Sequence, residues 1–122
     1  MRGPVSALAD PDHIHRIVTN LVRNAARAIK EQPGRTTPGM ITARVSREGG
    51  NAVIEIVDNG PAVPAMVVGQ LFQPFSGSAS RGGAGLGLAI ARELARGMKG
   101  DVELSSNGAA GAAFKLRVPA AA

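Results

Sequence analysis

The sequence predicts an α/β domain, and three observations carry that reading. Two stretches place apolar residues at helical spacing, Ile14 to Ile29 and Leu86 to Met98. Between and after them, Met40 to Arg47, Ala52 to Val57 and Ala113 to Val118 alternate or run apolar as strands do. Four glycines fall within Gly82-Gly83-Ala84-Gly85-Leu86-Gly87, at the mouth of the second helix. At 122 residues and 44% hydrophobic content, the chain suits one domain with a modest core.

Composition narrows the classes of function. There is no Cys, so neither disulfide nor thiolate chemistry is open to the chain. No apolar run reaches the ~18 residues of a membrane span. Met1-Arg2-Gly3-Pro4 lacks the apolar core of a signal peptide. The expectation is a soluble chain without direct membrane contact, in a reducing compartment, or a piece cut from a longer membrane protein. The net charge of +5 is scattered, and aromatics amount to three Phe. Missing base-stacking aromatics argue against nucleic acid. Surplus positive charge suits an anionic ligand or an acidic partner surface.

In chain order, Val5 to Ala9 is an apolar lead-in of edge-strand type. Asp10-Pro11-Asp12 starts a helix, with Asp10 as N-cap and Pro11 in the first turn. Ile14, Ile17, Val18, Leu21, Val22, Ala25 and Ile29 give that helix its stripe, and Pro33-Gly34 follows its end. Gln32 to Gly39 reads as a polar loop. Met40 to Arg47 reads as a half-buried strand, with Ile41, Ala43 and Val45 on one face, and Glu48 to Asn51 turns it into Ala52 to Val57. Pro64 to Leu71 is a short helix. Ser76 to Gly82 holds small residues and Arg81, without an apolar anchor. Leu86, Ile90, Leu94 and Met98 stripe the second long helix, which Lys99-Gly100 closes. Val102 to Ser105 is a strand, Ser106 to Gly111 a turn, and Ala113 to Val118 the last strand.

Three stretches carry candidate chemistry, each with an ordinary structural alternative. Asn20, Asn24 and Arg27 share one helix face beside the apolar stripe, lining a cleft or merely solvated. Asp58, at the end of a buried strand and next to Asn59-Gly60, is a turn former or a carboxylate that accepts from an exocyclic amine. The glycine run before a helix is a plain loop or a phosphate site, since close backbone approach and helix N–H groups suit an anion.

Taken together, the order of motifs resembles the ATP-binding catalytic domain of bacterial sensor histidine kinases, within the gyrase, Hsp90, histidine kinase and MutL superfamily. Asn20-Leu21-Val22-Arg23-Asn24-Ala25 is similar to its N box, Asp58-Asn59-Gly60 to its first glycine box, and Phe72-Gln73-Pro74-Phe75 to its F box. Gly83-Ala84-Gly85-Leu86-Gly87-Leu88 is similar to its second glycine box, and Gly111-Ala112-Ala113-Phe114 to its last strand. The likeness runs from Asp10 to Pro119.

The resemblance implies a two-layer α/β (α+β) sandwich of the Bergerat type, a mixed, mainly antiparallel sheet covered on one face by helices, with ATP between the layers. It implies Asn24 as ligand to Mg²⁺, Asn20 in the same pocket, and Arg27 and Arg81 on phosphate. Asp58 bonds the adenine amine beside Gly60, and Gly83, Gly85, Leu86, Gly87 and Leu88 wrap the phosphates under a lid at Ser76 to Gly82. Ala62 replaces a usual second glycine, and Ala28 an aromatic often present. Hydrolytic relatives carry Glu at the Asn20 position. An amide cannot take a proton from water, so transfer to an external nucleophile is favoured over hydrolysis.

His13 and His15 lie at the helix start, outside any phospho-acceptor motif, and read as surface residues. The implied whole is a single domain over 1–122, with a core of about 10–119 and the acceptor elsewhere. It donates the γ-phosphate of Mg-ATP to a histidine on a separate helical dimerisation domain, with a response regulator downstream. The alternative is a degenerate kinase-like domain that serves as an interaction or regulatory module.

Overall fold

A computed structural model gives the fold, and residues 10–73, 84–108 and 110–120 are described. The lead-in Val5 to Ala9, the second half of the F box, the lid Ser76 to Gly82, Arg81 and Gly83 fall outside them. The order is α1 (Pro11–Lys30), β1 (Ile41–Glu48), β2 (Asn51–Asp58), α2 (Ala65–Val68), α3 (Ala84–Gly97), β3 (Asp101–Gly108) and β4 (Gly111–Pro119).

Helix α1 starts as its sequence dictates. Asp10 Oδ1 accepts from the Asp12 amide at 2.8 Å, with Pro11 in the first turn, which satisfies an N–H that has no intrahelical partner. Four strands form one sheet in the order β1-β2-β4-β3. Every pairing among the described residues is antiparallel, so the mixed character expected of the sheet is not seen there. Strand β3 runs on to Gly108, past a bulge at Leu104/Ser106, into the stretch Ser106 to Gly111 foreseen as a turn.

The core lies between the sheet and the two long helices. Ile17 and Leu21 of α1, and Leu88, Ala91 and Ala95 of α3, meet Ile56, Val102, Phe114, Leu116 and Val118 of the sheet. The stripe expected on α3 is displaced: Ile90, Leu94 and Met98 are only half-buried, and the buried row is Leu88, Ala91 and Ala95. Alanine at the contact lets α3 approach closely, so the larger side chains pack at its flank. The helices cover β2, β4 and β3 and leave most of β1 open. Ile41 and Ala43 are exposed there, and Met40 is 64% exposed, against the half-buried strand expected. The opposite sheet face carries a charged row across all four strands, Arg44, Glu55, Lys115 and Glu103, in register.

The end of α3 corrects one detail. The left-handed residue is Lys99, at φ 64°, and not Gly100. The Lys99 and Gly100 amides return to the carbonyls of Arg96 and Ala95 at 3.0 and 2.9 Å, a Schellman closure. Gly100 is needed for room instead, because a Cβ there would land on the Arg117 carbonyl.

Candidate functional site

Helix α1 acts as a ruler along one side of a cleft. At its middle, Asn20 donates from Nδ2 to the Gly87 carbonyl at 3.2 Å, which ties α1 to the first turn of α3. Nine residues on, ~14 Å along the axis, Ile29 lies against Gly60, where a Cβ would come within 3.0 Å of the isoleucine side chain. Asn24 sits between, about 6 Å from Asn20 along the axis. It is 4% exposed, and neither Oδ1 nor Nδ2 has a partner. Arg27, one turn further, is exposed at the rim.

Asp58 closes β2 at the far end, 3% exposed. Its Oδ1 accepts from the Gly60 amide at 2.8 Å, and its Oδ2 has no partner. Backbone packing fixes this carboxylate from behind. Gly111 takes φ 135°, and any Cβ there would run into the Asp58 carbonyl, so both conformation and space demand glycine. The chain after Gly60 is held as well: Asn107 accepts from the Val63 amide at 2.8 Å and donates to the Val63 carbonyl at 3.0 Å.

Sequence reasoning missed Arg35, within the stretch read as a polar loop. Its Nη1 donates to the Asn59 carbonyl at 3.0 Å, and its Nη2 to Asn59 Oδ1 at 2.7 Å and to the Pro38 carbonyl at 3.3 Å. Asn59 Oδ1 also accepts from the Met40 amide at 2.8 Å. No periodicity or motif marks an arginine in a loop, so no signal in the sequence was available. Gly111 had one, as the glycine opening the last strand, but its contact with Asp58 was not foreseen.

Of the residues singled out in sequence, Asn20 is bonded to Gly87 and Asp58 to Gly60, and Asn24 lies one turn from Asn20 on α1. Gly87 is half-buried, and a Cβ on it would meet nothing within 4 Å. Leu88 sends its side chain into the core at 1% exposure, which leaves only its backbone for a ligand. Gly85 and Leu86 belong to the first turn of α3. His13 and His15 are exposed. No cluster of three His, Cys, Asp or Glu exists among the described residues, so a metal here would rest on few protein ligands. Phe72, the first F-box aromatic, stands edge-on to Phe114 with centroids 6.2 Å apart and lies under the Arg92 guanidinium at 4.6 Å. Arg92 in turn grips Asp101 at 2.9 Å. Burial pushes the Asp101 carboxyl up, but the bonds from Arg92, the Val102 amide and Arg96 outweigh it and hold it below its ordinary 3.8.

The donor set fits a nucleotide with its metal. Buried polar groups are almost always hydrogen-bonded, yet Asn24 and Asp58 both carry unpartnered atoms. An amide oxygen suits a hard cation that is otherwise held by phosphate and water. A lone carboxylate oxygen suits an amine.

The sequence profile described as histidine kinase-, DNA gyrase B- and HSP90-like ATPase matches residues 9–122. The chain belongs to this family. Among curated relatives, it is 35% identical over 117 residues to the sensor protein TorS of Escherichia coli, covering 95% of this chain and 12% of that protein. It is 38% identical over 102 residues to the sensory histidine kinase/phosphatase NtrB of Klebsiella oxytoca, covering 80% and 29%. The chain thus spans less than a third of either relative. Among solved structures, the mycobacterial sensor histidine kinase MprB superposes with TM-score 0.72 at 28% identity, over 93% of this chain and 76% of that one. The nucleotide-free catalytic domain of histidine kinase ThkA gives 0.74 at 25%, over 91% and 69%. The fold is therefore that of histidine kinase ATP-binding domains, an α/β sandwich. No helix among the described residues is long and apolar enough to cross a membrane.

Proposed function

We propose that the chain holds Mg-ATP and presents its γ-phosphate to a histidine on a separate helical dimerisation domain, in a cytoplasmic two-component pathway with a response regulator downstream. The observation that carries the reading is the pair of buried, unpartnered side chains, Asn24 and Asp58, in an ATPase-family domain. Both are the residues that the motifs single out for metal and for base.

ATP supplies the phosphoryl group. In this reading, Asp58 Oδ2 accepts from the purine amine, while Gly60 keeps Oδ1 engaged. Asn24 would hold Mg²⁺ through its amide oxygen. Asn20 holds the first turn of α3 against α1, and the free N–H groups of a helix start would suit an anion there. Arg27, and Arg81 and Gly83 beyond the described residues, add donors at the phosphate end. Neither Asn20 nor Asn24 can accept a proton from water, so the work of the site is positioning and charge stabilisation.

The test mixes the domain with the helical histidine domain of its parent kinase and Mg-ATP, and follows label on the histidine alongside a thermal shift with Mg-ADP. Binding to the folded state alone raises the melting temperature. Transfer to the histidine, with a shift, is the expected result. No shift with either nucleotide would leave the degenerate interaction module, for which Ala28, packed into the core at 5% exposure, is the favouring feature.

A further inference from the structure

We propose that Arg35 is a positioning residue for base recognition, acting on Asp58 through the Asn59–Gly60 peptide. The proposal rests on the reading of Asp58 as acceptor for the purine amine. One peptide unit lies between two charges. Its carbonyl, on Asn59, accepts from Arg35 Nη1 at 3.0 Å, and its N–H, on Gly60, donates to Asp58 Oδ1 at 2.8 Å. Guanidinium, peptide dipole and carboxylate stand in line, an arrangement in which each hydrogen bond strengthens the next.

Gly60 has no side chain to resist rotation of that peptide. A flip would turn the Asn59 carbonyl toward the carboxylate, acceptor against acceptor, and would free Oδ1. Arg35 prevents it. The fork is fixed in turn: Nη2 holds Asn59 Oδ1 at 2.7 Å, and Asn59 Nδ2 reaches the Pro38 carbonyl at 3.1 Å. The Arg35 Nε is buried without a partner. With Oδ1 engaged from behind, Oδ2, which has no partner, is the oxygen left wholly free for a ligand, and an acceptor held in one direction reads an amine.

The readout is the ratio of dissociation constants for Mg-IDP and Mg-ADP, since inosine replaces the amine with a carbonyl. Arg35→Ala should lower this ratio roughly fivefold or more, the worth of about one hydrogen bond, with Mg-IDP affinity little changed. Arg35→Lys, which can still reach the Asn59 carbonyl, should recover part of it. Asn107→Ala loosens the same loop at Val63 without touching the peptide, and should lower the melting temperature while keeping the ratio. In an Asp58→Asn background, Arg35→Ala should have no further effect on the ratio. If Arg35→Ala does not fold, Arg35→Met, which keeps the length of the side chain without a donor, enters the same comparison. A collapsed ratio in Asp58→Asn with an unchanged one in Arg35→Ala overturns the role of Arg35 and leaves the base site standing. An unchanged ratio in Asp58→Asn itself overturns both. Equal losses in Arg35→Ala and Asn107→Ala reduce Arg35 to general loop stiffness and overturn the proposal.

Discussion

Asn24→Ala should make the nucleotide-free protein more stable while it removes metal-dependent binding. In the free protein the Asn24 amide is 4% exposed, and neither of its polar atoms has a partner. A buried unpaired polar group costs about 1–3 kcal/mol. Alanine also improves helix propensity within α1 by about 0.5 kcal/mol, and the missing van der Waals packing of a small amide offsets part of the gain. The net expectation is about 1–2 kcal/mol of added stability. At about 4 °C per kcal/mol for a domain of this size, the melting temperature of the free protein should rise by about 4–8 °C. Saturating Mg-ADP should raise the wild-type melting temperature by about 10 °C at a hundredfold excess over Kd, where linkage gives ~2.7 kcal/mol, and the variant by much less. Scanning calorimetry with and without Mg-ADP reads both effects. A free variant that melts below wild type would show that the amide is satisfied in solution. An undiminished Mg-ADP shift would remove Asn24 from the site.

Asp58 should favour ATP over GTP by about 1–3 kcal/mol, because the guanine carbonyl would face a carboxylate oxygen with no donor between them; equal competition by GTP in a displacement assay would contradict this. Asn20→Glu should not create a hydrolase: it replaces the donor to the Gly87 carbonyl with an acceptor, so phosphate release should stay low and the melting temperature should fall. Gly111→Ala should destabilise by about 2 kcal/mol or more, since φ 135° and the Asp58 carbonyl both exclude a side chain, and urea melts will measure it. Because the folded-state pKa of Asp101 lies below its ordinary 3.8, its stabilisation is complete above that value and is lost as pH falls through the lowered one. Asp101→Asn should therefore melt below wild type at neutral pH, with the gap closing in acid.

The elements were legible because burial imprints a period on the sequence. The alternation of apolar residues gave β4 its inward Phe114, Leu116 and Val118, and the 3–4 residue steps gave α1 its Ile17 and Leu21. Covering was less legible. Nothing in Ile41, Ala43 and Val45 says that the helices stop short of β1, since which strand lies at the edge depends on sheet order. On α3, the larger residues drew attention to Ile90, Leu94 and Met98, while close packing selected the alanines. Asn24 and Asp58 were legible as chemistry, because a polar residue at the margin of an apolar stripe is costly unless used. The supports behind them were not. Arg35 reaches the Asn59 carbonyl across 24 residues, and Asn107 reaches Val63 across 44; such side chain-to-backbone bonds leave no local pattern.

The ruler geometry of α1 has a consequence for which sequence changes the chain can absorb. One inserted residue between Asn20 and Ile29 would rotate everything beyond it by about 100°. An insertion before Asn24 would carry that side chain off the cleft, while Ile29 would leave Gly60. A whole added turn would restore the faces but part the two ends by a further ~5 Å, out of step with a sheet that has not lengthened. Residues 33–39 sit in no helix or strand, so a change of length there meets no such penalty unless it displaces Arg35. Among descendants of this chain, gaps should therefore collect in the loop after α1 and avoid the helix, and an alignment that opens one between Asn20 and Ile29 is misregistered.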